Sequence, residues 1–171
     1  MNEVITLIDE IIKDHVMIIQ RVQTLEQVAN DAEALVGLEK AKETFMPGRL
    51  EHKQSLQKLS DLLDKVFEGL QAHFNREEKG LLTAFEKHGG QELVTTLRSL
   101  LLEHEDLRER FNQSKEDVAK LMRGGMSRHV WEASAHDMRA HITHTRKLLE
   151  AHAEIEQELL HALRKQLEGK K

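Results

Sequence analysis

Residues 56–85 read LQKLSDLLDKVFEGLQAHFNREEKGLLTAF, and apolar side chains recur through them at three- and four-residue steps: Leu56, Leu59, Leu63, Val66, Leu70, Leu81 and Phe85. That is the period of an amphipathic helix with one inward stripe. Two members of the stripe are not apolar. His73 and Glu77 fill the places between Leu70 and Leu81. Residues four apart share a helix face, so this imidazole and this carboxylate point to the same side.

Three further stretches repeat the pattern, each with a histidine in an apolar slot. The first reads Val4, Ile8, Ile11, His15, Ile18, Val22, Leu25; the third reads Leu97, Leu100, His104, Leu107, Phe111, Val118, Leu121. The last reads Met138, Ile142, Thr145, Leu148, His152, Ile155, Leu159, Leu163, and it carries a second His-x3-Glu pair, His152 with Glu156. Breakers fall at Met46-Pro47-Gly48, at Gly89-Gly90 and at Gly124-Gly125-Met126-Ser127, dividing the chain into four long helices. The end of the first helix, from Gly37 to Thr44, is left open as helix or loop. Short connections between long helices predict an all-α, antiparallel up-down-up-down four-helix bundle, one domain over residues 1–171. The helical hairpin is the only internal repeat expected.

In an antiparallel hairpin two residues share a height when they are equidistant from the turn. The midpoint of His15 and His73 is position 44; that of His73 and His104 falls between 88 and 89; that of His104 and His152 is 128. The breakers were placed from Pro and Gly alone, yet each lies close to one of these midpoints. A residual of about three residues shifts height by about 5 Å. The four histidines are therefore expected in one layer.

Composition narrows the function classes. Lys and Arg number 25 against 30 Asp and Glu, interspersed along the chain, which gives no basic stripe for nucleic acid and no membrane-surface helix. Cys is absent, removing thiolate metal sites and Cys catalysis together. Met1-Asn2-Glu3-Val4 opens no signal peptide, and no stretch approaches a membrane span; the expectation is a cytoplasmic protein. Long exposed helices leave a homodimer open.

A His-x3-Glu pair on its own decides little, since a third, His88 with Glu92, falls across a breaker. Four inward histidines and two inward glutamates in one layer are a different matter. Two buried carboxylates need compensating positive charge, and metal cations supply it. Imidazole and carboxylate without thiolate suit Fe, Mn, Zn or Cu. Two carboxylates among four nitrogens serve best as bridges between two ions, which favours a redox-capable di-iron site with Zn or Mn as alternatives. Rival patterns fail on inspection. The ferritin-like Glu-x-x-His is missing, because Leu101 and Leu149 stand three residues before His104 and His152. His104-Glu105 is followed by Arg108 rather than His, so the zinc-protease helix is excluded. Bis-His haem would leave the two glutamates unexplained.

A lone His on helix one, His-x3-Glu on helix two, a lone His on helix three and His-x3-Glu on helix four together resemble the hemerythrin-like HHE cation-binding domain family. The resemblance covers essentially the whole chain. It implies a four-helix bundle with a non-haem di-iron centre that binds or senses O2 or related small molecules such as NO or peroxide. It further implies that His15 and His73 ligate one iron, that His104 and His152 ligate the other, and that Glu77 and Glu156 bridge them. The oxygen-carrying members have a fifth histidine on the third helix, where this chain has Leu100 and Arg108, and an Asp on the fourth, where it uses Glu156. The pattern is closer to four-histidine bacterial members, some of which resemble iron-centre repair proteins that carry an additional Cys-bearing segment. Rival readings are a di-iron peroxidase or NO-detoxifying enzyme, an iron-handling protein, and a structural bundle with a polar core layer.

Secondary features complete the expectations. Gly69 and Gly80 flank His73 and Glu77, either beside a small-molecule cavity or at a close helix–helix contact. His141 is expected as a solvated or boundary histidine, the alternatives being that it lines an access route or pairs with an inward Glu such as Glu26. Trp131 should pack at the turn-proximal end of the bundle, and His52, His88, His129 and His161 should lie at the surface.

Overall fold

The computed structural model describes residues 2–40 and 50–169, with the side chains of 2, 32–40 and 50–54 left undescribed. Every element among them is helical. The first arm is α1 (Asn2–Lys40), which runs on through Gly37. The second arm is α2 (Leu50–Arg76), a π turn over Glu77–Leu81, and α3 (Leu82–His88). The third arm is α4 (Gln91–Leu101) and α5 (Glu103–Arg123), and the fourth is α6 (Arg128–Gly169). The Pro47-Gly48 turn, the His52 side chain and the Lys170-Lys171 tail lie outside the described residues.

The four arms form a helical bundle in which α1 packs on α2 and α6, and α5 packs on the same two. No helix among the described residues is long and apolar enough to cross a membrane. At the junction of α5 and α6, Gly124 and Gly125 take φ of 69° and 77°, the left-handed region open to glycine, which lets the chain leave the helix and reverse. Trp131 is buried just beyond that junction, its indole N–H donating to the Leu121 carbonyl at 3.2 Å.

The core is split in two. One apolar cluster runs from Ile18 through Leu59, Leu63, Val118 and Trp131 to Leu149; the other gathers Ile8, Ile11, Leu81, Phe85, Leu97 and Leu160. Between them lies a layer of buried polar residues.

The π turn has a physical cause in the inward stripe. From His73 the buried positions advance by four residues three times in succession, to Glu77, Leu81 and Phe85. Each such step overshoots a 3.6-residue turn by about 40°, or about 120° over three. One turn with an extra residue takes up that drift and keeps all four side chains facing the core.

Two expectations are corrected. The third arm is not one unbroken helix: it is interrupted at the exposed Leu102, directly before Glu103-His104. In α6 the inward face runs through Leu149, His152, Glu156 and Leu160, and Ile155 is 43 % exposed. Ile155 is rotated about 100° from Glu156 around the helix, and the face that holds His152 and Glu156 together leaves it outside.

Candidate metal centre

The polar layer holds six buried residues, one or two from each arm: His15, His73, Glu77, His104, His152 and Glu156. These are the six residues the sequence singles out. They divide into two overlapping groups, His15, His73, Glu77 and Glu156 on one side and Glu77, His104, His152 and Glu156 on the other. Within each group one ligand atom per residue lies within 4.8 Å of the rest.

Both carboxylates are shared between the groups. Glu77 turns Oε1 to His73, in close contact, and to His15 Nε2 at 3.6 Å, while its Oε2 meets His104 Nε2 at 3.0 Å. Glu156 places Oε1 at 3.2 Å from His15 Nε2 and Oε2 at 3.2 Å from His152 Nε2. Each carboxylate thus gives one oxygen to each half.

The outward nitrogens are held by three more carboxylates. His73 Nδ1 donates to Asp14 at 3.1 Å, and Asp14 also accepts from Arg76 at 2.6 Å. His104 Nδ1 donates to Glu78 at 3.1 Å, and Arg108 clamps Glu78 with two bonds of 3.0 Å. His152 Nδ1 donates to Glu103 at 2.7 Å. A carboxylate on Nδ1–H fixes the tautomer and leaves Nε2 as a lone pair aimed inward, the usual support of a metal-ligating imidazole. Sequence reasoning did not single out these three. Each one nevertheless sits beside an inward residue in the chain, Asp14 next to His15, Glu78 next to Glu77 and Glu103 next to His104.

The layer fits a metal on its own chemistry. Neither oxygen of Glu77 or Glu156, nor either nitrogen of His15, has a hydrogen-bond partner among the described residues; the close approaches above lack hydrogen-bond geometry. His104 Nε2 and His152 Nε2 face each other at 3.2 Å, with both Nδ1–H groups already committed. Either a proton on His152 Nε2 or a metal cation must therefore stand between the two nitrogens. Leaving buried carboxylates uncompensated costs on the order of several kcal/mol each. The six residues could hold metal ions, and cations would resolve each of these conflicts.

Protonation is divided across the layer. Burial opposes charge on His15, but Glu156 and Glu77 outweigh it and raise its pKa; for His152 burial is outweighed by Glu156 and Glu103. Burial lowers His73, and burial with the facing His152 brings His104 down to about 4. Burial pushes Glu77 well above the carboxylate range, the Glu156 charge adding to it; Glu156, against the same burial, is held below that range by His15 and His152.

A small apolar cavity lies against the layer, lined by His15, His73 and His152 with Ile19, Phe74 and Ala153 among its walls. It has room for about one water-sized molecule. Gly69 and Gly80 do not line it. A methyl group at Gly80 would sit 3.4 Å from Leu7 of α1, and one at Gly69 would sit 3.4 Å from the Arg21 guanidinium. Both distances are ordinary van der Waals contacts with flexible side-chain ends, so neither position requires glycine for space. His141 is half-buried and donates to the Arg110 carbonyl at 3.1 Å; Glu26 is taken instead by Arg146. His129 and His161 are exposed and His88 is half-buried.

Comparison with known proteins adds no assignment: no family model matches the chain, nor does any curated protein or any solved structure.

Proposed function

We propose that the chain is a hemerythrin-like protein whose layer holds a carboxylate-bridged di-iron centre that binds or senses O2 or a related small molecule, NO or peroxide. The observation that carries this reading is the sharing of Glu77 and Glu156, each with one oxygen toward either pair of histidines. In it His15 and His73 hold one ion and His104 and His152 the other. The up-down-up-down topology belongs to the same proposal. It is supported by contacts that run in opposite directions along adjacent arms: Asp9 with Arg164 and Glu26 with Arg146 between α1 and α6, Leu7 near Gly80 and Arg21 near Gly69 between the first two arms.

Iron bound there would supply one-electron redox chemistry and positions for a small exogenous ligand. The chain's own residues do the rest. Asp14, Glu78 and Glu103 orient three imidazoles and raise their basicity as ligands. The apolar wall of Ile19, Phe74 and Ala153 offers a nonpolar diatomic a dry site and offers water few partners. Ala153 is the residue through which this can be tested, because the two added methyl groups of a valine there suit a cavity of this size and leave the six layer residues unchanged.

Anaerobic reconstitution with ferrous iron, desalting and elemental analysis should give two irons per chain, and exposure to O2 or NO should then change the optical spectrum. Ala153→Val should keep both irons and respond at least about tenfold more slowly, an increment of about 1.4 kcal/mol in the barrier. A protein that retains no iron would return the layer to another metal or to a structural polar core.

A further inference from the structure

The metal layer is built twice. Asp14 and His15 of α1, followed by His73, Glu77 and Glu78 of the second arm, correspond one for one to Glu103 and His104 of α5, followed by His152, Glu156 and Gln157 of α6. The contacts correspond too. Asp14, one residue before His15, takes Nδ1 of His73; Glu103, one residue before His104, takes Nδ1 of His152.

The correspondence fails at two places, and both failures fall on His15. Glu78 takes Nδ1 of His104 and is itself clamped by Arg108. The place equivalent to Glu78 holds the neutral Gln157, and the place equivalent to Arg108, four residues after the arm's histidine, holds Ile19. Gln157 lies on the side of α6 that faces α1. It is seven residues from Glu150 and from Arg164, which contact Gln23 and Asp9 of α1. His15 is only 4 % exposed, yet its Nδ1 has no partner among the described residues.

The second failure concerns ring packing. Phe74, one residue after His73, stacks on His104 with centroids 3.7 Å apart and planes 12° from parallel. Its equivalent, one residue after His152, is Ala153, and there the small cavity opens against His15. His104 is thus fixed by a hydrogen bond and by a stacked ring. His15 is fixed by neither.

We propose that the two metal positions are inequivalent: the position at His104 and His152 fills first and holds its ion tightly, whereas the position at His15 and His73 fills second and exchanges its ion. Gln157 and Ala153, standing where the other half has Glu78 and Phe74, set the difference. Losing the carboxylate behind a ligating imidazole weakens metal affinity by about 10–100-fold, and that is the gap expected between the two steps. The inference rests on the dinuclear reading above and assigns it an internal order. Its consequence is an ion that can be replaced, by a different divalent metal or by transfer to an acceptor, while its neighbour stays in place.

The test is an anaerobic titration of the metal-free protein with ferrous iron against a chromophoric chelator, with elemental analysis at each plateau. Wild type should bind in two steps separated by about 10–100-fold. Glu78→Gln should weaken the first step and close the gap, and Gln157→Glu should strengthen the second. His15→Ala should keep the tight ion alone; His104→Ala should keep only the weak one. Two ions bound with equal affinity in wild type, a gap unmoved by Glu78→Gln, or loss of the tight ion in His15→Ala would each overturn the proposal. Wild type that binds no iron at all overturns the dinuclear reading itself, a result distinct from these.

Discussion

The layer around Leu63, Val118 and Trp131 and the layer of His15, His73, Glu77, His104, His152 and Glu156 belong to the same helices and use the same inward positions, with opposite consequences. In the first, the inward side chains are apolar apart from Ser114, and burial itself stabilises the fold. In the second, six inward side chains are polar and equally buried, and several of their atoms have no hydrogen-bond partner among the described residues. Helix periodicity specifies that a position faces inward; it does not specify what should stand there. A layer that works against stability at four inward stripes at once is a conflict that bound cations could resolve.

The contrast can be broken first at the carboxylates. Glu77→Ala or Glu156→Ala should abolish dinuclear binding and leave at most one iron per chain by elemental analysis; two irons retained in both variants would refute the bridging role. In the apolar layer the opposite split is expected. Trp131→Ala removes a fully buried indole and should cost about 3–5 kcal/mol in denaturant unfolding, with iron stoichiometry unchanged in the folded protein. Removing the metal with a chelator should lower the thermal midpoint by about 10 °C, since a ligand at a thousand times its dissociation constant contributes about 4 kcal/mol and about 1 kcal/mol moves a chain of this size by 2–4 °C. An identical midpoint with and without chelator would make the polar layer structural.

Proton competition sharpens the comparison further. The raised pKa values of His15, His152 and Glu77 mean that these groups keep protons to higher pH than free side chains do, and a metal must displace them. Falling pH therefore favours the protonated, metal-free layer. Iron affinity should rise as pH is brought from about 6 to about 8, and uptake should release protons to an indicator dye; a flat profile would contradict the assignment of these groups as ligands. The smallest effect is expected at Gly69, where an added methyl meets only the flexible end of Arg21. Gly69→Ala should stabilise the helix by up to about 1 kcal/mol and leave iron binding as it was, because Gly69 does not line the cavity.

The positions of the six layer residues were legible in the sequence because a helix is one-dimensional: the spacing within an arm gives the face, and distance from the breakers gives the height. What the spacing could not give was which side of each helix meets which neighbour. Asp14 lies beside His15 but serves His73, and Glu103 lies beside His104 but serves His152, so their roles depend on the packing of the arms. The same holds for His141, which meets the Arg110 carbonyl while Glu26 pairs with Arg146. The π turn did leave a trace, the three successive four-residue steps from His73 to Phe85, which a regular helix could not keep on one face. The break at Leu102 left none: neither Pro nor Gly marks it, and its neighbours continue the helical period.

The most direct measurement is low-temperature electron paramagnetic resonance of the iron-reconstituted, air-oxidised protein, with total iron counted on the same sample. Two ferric ions bridged by Glu77 and Glu156 couple antiferromagnetically, so the account predicts two irons per chain and almost no high-spin ferric signal. A strong ferric signal integrating to the whole of the bound iron would place the ions apart and contradict it.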